Sequence, residues 1–289
     1  MERRSFKRAM YDALSFSPGL QGFLRGPARE FLHRPVTDRA IAAILDSQLI
    51  HPDYGMSKRE KLELGRAMVR IQRCILCTNA WEWLLMIGLK ILESPPPSEV
   101  PGDVIECGTY KGGSAASLSL VCRIVGRKLR VYDSFRGFPP ARPGDREAAS
   151  FEEGEYCGTL DDVQRNIGLY GAPECCEFVP GWFRDTLPGL RSPVLAAFLD
   201  VAYEDSLDTC VRQIWPNLVE DGAIFLGEYG DTDHVALFWS EKWWRRHFNR
   251  TPPGMVGGRA ESFGYTVKSM SGFWSYYPDE EGRGDSGTD

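Results

Sequence analysis

The segment Asp103-Val104-Ile105-Glu106-Cys107-Gly108-Thr109-Tyr110-Lys111-Gly112-Gly113-Ser114 sets a carboxylate, three glycines and a hydroxyl around one turn. The residues up to Cys107 read as a strand, and those from Ser114 onward as a helix. A glycine turn at such a junction lets backbone approach a ligand closely and aims helix amides at an anion. The spacing Gly108-x-x-x-Gly112-Gly113 is not the GxGxxG that admits a pyrophosphate. With Glu106 ending the strand and Ser114 starting the helix, the turn suits a small zwitterionic tail: the amine needs acceptors and the carboxylate needs amides. Asp133, about twenty residues further on, stands where a carboxylate can accept hydrogen bonds from both hydroxyls of an adenosine ribose.

These residues do chemistry together only if a sheet gathers them. Strand patterns at 103–107, 129–133, 176–179, 194–200 and 223–227 alternate with helical patterns at 114–125, 160–169 and 206–218. That order predicts a parallel sheet covered by helices. In the helix after Ser206, Leu207, Cys210, Val211, Ile214, Trp215 and Leu218 share one face, and Asp221-Gly222 is read as its end. Val235–Asn249 reads as another amphipathic helix. Tyr265–Met270 and Phe273–Tyr277, split by Ser271-Gly272, read as an antiparallel hairpin. Ligands of open α/β sheets bind beyond the carboxyl ends of the strands. Those ends are Glu106 and Gly108, Asp133-Ser134-Phe135, Gly181-Trp182-Phe183, Asp200, and Gly227-Glu228-Tyr229.

Residues 1–100 carry no strand alternation and read as helices, among them Asp38–Leu45, Lys58–Cys77 and Thr78–Glu93; Ser94-Pro95-Pro96-Pro97-Ser98 stops the last. The expected organisation is an N-terminal helical arm and cap over 1–100, a Rossmann-like domain over 101–278 and a disordered Gly- and Asp-rich tail over 279–289. A length of 289 residues with 43% hydrophobic side chains permits a sizeable core. The net charge of −6 argues against a nucleic-acid binder. Arg3, Arg4, Lys7, Arg8, Arg25, Arg29 and Arg34 cluster near the start and suggest a solvated or partner-facing arm. No run approaches the roughly 18 apolar residues of a membrane span. Arg3, Arg4, Lys7, Arg8 and Asp12 leave no apolar signal-peptide core, so a cytoplasmic protein is expected. The eight cysteines are dilute and are expected to be reduced. Cys74-x-x-Cys77 lacks a second ligand pair for zinc.

Glu106-Cys-Gly-Thr-Tyr-Lys-Gly-Gly-Ser114, Asp133-Ser-Phe-Arg-Gly-Phe-Pro139 and Gly181-Trp-Phe-Arg-Asp-Thr-Leu-Pro188 resemble, in order and spacing over about 100–277, the motifs of the macrocin-type sugar O-methyltransferases. These are class I S-adenosylmethionine enzymes of antibiotic biosynthesis. The resemblance implies adenosylmethionine held by Glu106, Gly108, Tyr110, Gly112, Ser114 and Asp133, with Ser134, Phe135, Gly181 and Trp182 around the adenine. It implies a sugar or glycoside acceptor, no nucleic-acid or membrane partner, and association of copies through the N-terminal helical region. It also implies a magnesium ion on acidic residues ending the fourth and fifth strands, here Asp200 and Glu228.

At those two strand ends the chain departs from the family. The family strings Asp-x-Asp-x-Tyr-x-Ser and Asp-Asp-Tyr or Asp-Glu-Tyr are replaced by Asp200-Val-Ala202-Tyr203-Glu204-Asp205-Ser206 and Gly227-Glu228-Tyr229. Asp200 and Glu228 keep two ligand positions, while Gly227 and Ala202 lose carboxylates, so weaker metal binding is expected. Asp231, Asp233 or His234 could substitute as a ligand. For the base that takes the acceptor proton, Asp200, Asp205, Tyr203 and His234 stay open. The glycine-rich stretch 252–262 is read as a lid. Two competing readings remain: an adenosylmethionine-binding homologue without metal-dependent transfer, and a nicotinamide oxidoreductase, which the glycine spacing and the lack of a Tyr-x-x-x-Lys pair disfavour.

Overall fold

A computed structural model of the chain describes residues 38–45, 50–140, 151–227, 235–258 and 263–269. A helical stretch over 38–45 is followed by α1 (Lys58–Cys74) and α2 (Trp81–Glu93). The α/β part then runs β1 (Asp103–Cys107), α3 (Gly113–Val125), β2 (Leu129–Asp133), α4 (Leu160–Tyr170), β3 (Cys176–Pro180), the short α5 (Phe183–Thr186) and β4 (Val194–Leu199). It continues through α6 (Glu204–Ile214), β5 (Leu218–Leu226), α7 (Glu241–Phe248), β6 (Val256–Gly258) and β7 (Phe263–Val267). The strands form one sheet in the order β3-β2-β1-β4-β5-β7-β6. β1 to β5 are parallel, and β7 is antiparallel to both β5 and β6. This is the Rossmann-like α/β architecture expected from the alternation of patterns.

Parallel strands are buried on both faces, so their side chains alternate between two cores. Val104, Leu129, Val131, Phe198 and Phe225 point to one side, where they meet α1, α2, α3 and α4 through Met68, Leu85, Leu118 and Ile167. Ile105, Tyr132, Ala197, Leu199 and Ile224 point to the other, against Leu207, Val211, Ile214, Trp215 and Trp244 of the α6–α7 side. The N-terminal helices thus fill one of the two layers flanking the sheet.

The order of elements matches the reading, but several boundaries shift. The helix expected to run to 218 gives way at Trp215 to a 3₁₀ turn, and β5 already begins at Leu218. Asp221-Gly222, read as a helix end, lies inside that strand. A side chain at position 222 would come within 3.0 Å of the Leu195 carbonyl oxygen, so glycine there permits close strand packing. The helix expected over 235–249 is split at Ser240, whose hydroxyl accepts from Trp243 N–H and starts α7 afresh. The expected continuous helices on either side of Cys77 are separated by the loop 75–80. The antiparallel pair at the sheet edge is made with β6, which lies inside the stretch read as a lid. The other expected hairpin strand, 273–277, lies outside the described residues, as do the basic N-terminal cluster and the tail 279–289. All eight cysteines are free, and among the described residues no helix is long and apolar enough to cross a membrane.

Candidate cofactor site

The end of β1 carries a buried carboxylate. Glu106 is fully buried, and neither carboxylate oxygen has a hydrogen-bond partner. Burial pushes its carboxyl up to about 8; the nearby hydroxyls of Ser114 and Thr109 pull the other way without closing a hydrogen bond, and the charges of Asp200 and Asp133 add to the rise. An unpaired buried carboxylate is costly, and a cationic group supplied from outside removes that cost.

Backbone conformation places Glu106 beside an open turn. Gly108 has φ +85°, and a Cβ on it would lie 2.3 Å from the Asp200 carbonyl oxygen. Its N–H donates to the Tyr132 carbonyl at 3.0 Å, while Asp200 N–H donates to the Cys107 carbonyl at 2.9 Å. The ends of β2, β1 and β4 are thereby drawn together. Tyr110 follows in the left-handed region at φ 49°, and Gly112 at φ +80° precedes α3. Ser114, in the first turn of α3, is buried. The turn is held from outside by Gly158, where a Cβ would fall 1.7 Å from the Tyr110 carbonyl oxygen.

Asp133, ending β2, is mostly enclosed. Its Oδ2 accepts from Thr109 N–H and its Oδ1 from Phe135 N–H, both at 2.8 Å. Burial raises its pKa, and the amides of Thr109, Phe135 and Tyr110 oppose that rise. The carboxylate thus ties the first two strand-end loops together and keeps lone pairs for further donors. Ser134 is spent on its own loop: its hydroxyl donates to the Gly137 carbonyl and accepts from Arg136 N–H. Phe135 turns its ring into the core against Phe178, at 6.4 Å. Gly181 N–H donates to the Asp133 carbonyl at 2.9 Å, which sets Trp182, at the head of α5, beside the end of β2. Glu106, Gly108, Tyr110, Gly112, Ser114, Asp133, Gly181 and Trp182 are therefore brought to one end of the sheet. The side chains of Ser134 and Phe135 are committed elsewhere.

Asp200, ending β4, faces residues of the 75–80 loop. Its Oδ2 accepts from Asn79 Nδ2 at 2.8 Å and from the Thr78 hydroxyl at 3.4 Å. Burial raises its pKa, and these two donors lower it. Cys77 of the same loop lies near Glu106 and Asp200, and burial pushes its thiol up to about 12, so it stays protonated. Tyr203 is buried, its ring edge-on to Phe138 at 5.3 Å and Phe151 at 6.3 Å. Tyr156 joins this cluster and meets Tyr110 at 5.4 Å. Asp205 lies exposed in the first turn of α6. Glu228, Asp231, Asp233 and His234 lie outside the described residues.

Glu106 and the glycine cradle fit the amine and backbone-hugging tail of adenosylmethionine. The described residues do not in themselves fit a magnesium site. Among them no three His, Cys, Asp or Glu side chains form a metal-holding group, and one oxygen of Asp200 is taken by an N–H and an O–H. Sequence reading missed Thr78, Asn79 and the Phe138–Phe151–Tyr156 rings. A polar pair between two strongly apolar helical patterns is the only local signal Thr78 and Asn79 give, and the rings come together only through tertiary contacts.

The chain is similar to several known proteins. The tetracenomycin-C derivative 4'-O-methyltransferase of Streptomyces olivaceus, named for its 8-demethyl-8-(2,3-dimethoxy-alpha-L-rhamnosyl) substrate, is 34% identical over 161 residues, covering 50% of this chain and 62% of its own. The mycinamicin III 3''-O-methyltransferase of Micromonospora griseorubida is 36% identical over 165 residues, covering 50% of this chain and 64% of its own. The chain thus spans less than two thirds of the length of these relatives. The solved structure of the O-methyltransferase NovP shares the fold, with a TM-score of 0.54 at 23% identity over 64% of this chain and 79% of that one. The Macrocin-O-methyltransferase (TylF) family model matches residues 90–252, more than half of the chain and from α2 to beyond α7. On that match the chain belongs to the family.

Proposed function

We propose that the chain is an S-adenosylmethionine-dependent O-methyltransferase acting on a hydroxyl of a sugar-bearing small molecule in natural-product biosynthesis. Family membership supports the reaction class, and the observation that carries the cofactor is Glu106: two buried, partnerless carboxylate oxygens beside a glycine cradle. When bound, adenosylmethionine supplies an electrophilic methyl on a sulfonium. The protein's part is to bind, orient and receive a proton. Glu106 accepts from the cofactor amine, Ser114 and the first amides of α3 face its carboxylate, and Asp133 offers its remaining lone pairs to the ribose. Trp182 stands where a purine can stack. The rings of Tyr110, Phe138, Phe151, Tyr156 and Tyr203 form a wall on the acceptor side, where aromatic faces suit the apolar face of a sugar. A cytoplasmic setting and a homo-oligomer built through the N-terminal helices belong to the same reading.

The test is calorimetry with adenosylhomocysteine, followed by transfer of labelled methyl from adenosylmethionine to a panel of rhamnosides and related glycosides. Binding with turnover is expected. Binding without turnover on any glycoside points to the non-catalytic homologue. Absence of binding, with or without NAD as a competitor, removes the reading.

A further inference from the structure

Asn79 comes from the loop between α1 and α2, far in sequence from the strand ends, and is 3% exposed. Its amide nitrogen donates to Asp200 Oδ2 at 2.8 Å. Its own backbone is held in turn: Gln72 Nε2 donates to the Asn79 carbonyl at 3.0 Å, and Gln72 Oε1 accepts from Trp81 N–H at 3.3 Å. The amide is thus presented to Asp200 by a braced loop.

The opposite wall of this contact is Gly227, whose N–H donates to the Leu199 carbonyl at 3.1 Å at the end of β5. A Cβ at 227 would lie 2.7 Å from Asp200 Oδ1 and 3.2 Å from Asn79 Oδ1. The first distance is shorter than any ordinary contact, and the carboxylate it meets is held through its other oxygen by Asn79 and Thr78. The Asp200–Asn79 pair therefore occupies the space that a side chain at 227 would need. At 227 there is no side chain beside Asp200, and what meets the carboxylate is the N–H donor of Asn79.

We propose that Asn79 is the positioning residue for Asp200 and stands in for a divalent cation at this site, so that Asp200 takes the acceptor proton without a metal. An N–H donor fixes one carboxylate oxygen and offsets part of its charge, which a cation would otherwise do. The other oxygen is left for the acceptor hydroxyl. As the O–CH₃ bond forms, the hydroxyl proton passes to Asp200 and the carbon–sulfur bond breaks, its electron pair remaining on sulfur as a neutral thioether. This inference rests on the methyl-transfer reading.

The test uses manganese(II) alone as a probe, followed by its electron paramagnetic resonance signal on the full chain saturated with adenosylhomocysteine. The wild type is expected to leave Mn²⁺ free up to about millimolar concentration, the weak end of oxygen-ligand sites. Asn79→Asp, which sets two carboxylates against each other, is expected to tighten Mn²⁺ binding by roughly tenfold or more, the usual response when a further charged oxygen ligand joins a site. Stoichiometric micromolar Mn²⁺ binding by the wild type overturns the proposal. So does an Asn79→Asp protein, folded by thermal melting, that binds Mn²⁺ no better than wild type, because the amide would then not be what stands in for the cation. The wild-type titration decides even if the variant does not fold. In the glycoside assay, a chelator is expected to leave turnover unchanged, and loss of turnover on chelation counts against the proposal. Failure of adenosylhomocysteine to bind at all is a separate result, and it strikes the function reading instead.

Discussion

Glu106 stores a cost in the ligand-free protein that a ligand can release. Burial raises its carboxyl from an ordinary 4.5 to about 8, so the folded protein keeps this proton over a range in which the unfolded chain has lost it. The stability linked to the group is full below 4.5 and is lost as pH rises through about 8. Glu106→Gln should therefore flatten the fall in melting temperature of the cofactor-free protein between roughly pH 5 and pH 8.5. The same variant should weaken adenosylhomocysteine binding by about tenfold or more, since a charge-assisted bond to the amine is lost. Near neutral pH the wild type should release a proton on binding, measurable by calorimetry in buffers of different ionisation enthalpy. The placement of Glu106 and Asp133 at strand ends was legible in the sequence because each closes a strand pattern and is read through its own neighbours. Asn79 was not, because its partner lies 121 residues away.

Among the elements, the turn after β1 depends on glycine for two separable reasons. Gly108 combines a left-handed backbone with a steric limit of 2.3 Å against the Asp200 carbonyl. Gly126, which closes α3 at φ +67°, borders open space, and a Cβ there would meet nothing within 4 Å. Gly126→Ala should therefore cost only the backbone term, about 1 kcal/mol. Gly108→Ala should cost more, about 2–4 kcal/mol, and also abolish cofactor binding. Denaturant midpoints compare the pair. A second element-scale device is Arg127, 4% exposed just after α3, whose guanidinium donates to the carbonyls of Gly102, Pro95 and Val100 at 2.7–2.8 Å. It clamps the proline-rich connection that sequence alone marked as a boundary. Arg127→Met should destabilise by about 2–4 kcal/mol, because several buried carbonyls lose their donor together. Element order was readable from periodicity, but the ends of α6 and β5 were not. Trp215 and Leu218 suit a helix face by spacing, while the bulged pairing near Val194 pulls Leu218 into the sheet.

For the whole molecule, the helices α1 and α2 share a continuous core with β1, β2, β4 and α3. Thermal unfolding of the chain should therefore show one calorimetric transition for this body, with calorimetric and van't Hoff enthalpies in agreement. A separate low-temperature transition assigned to residues 58–93 would contradict that packing. Composition and patterning conveyed the helices now seen at Lys58–Cys74 and Trp81–Glu93. They did not convey that the loop between them would reach the strand ends, because helical periodicity specifies a buried face without naming what covers it. The sheet edge shows the same limit, since β7 finds its antiparallel partner in β6, upstream and rich in glycine.

Phe138 and the 154–155 backbone exchange two hydrogen bonds, Phe138 N–H to the Glu155 carbonyl at 2.9 Å and Gly154 N–H to the Phe138 carbonyl at 3.0 Å. These bonds act as a buckle between residue 138 and residues 154–155. Opening either bond would loosen the seat of Phe138, whose ring packs on Tyr156 and Tyr203.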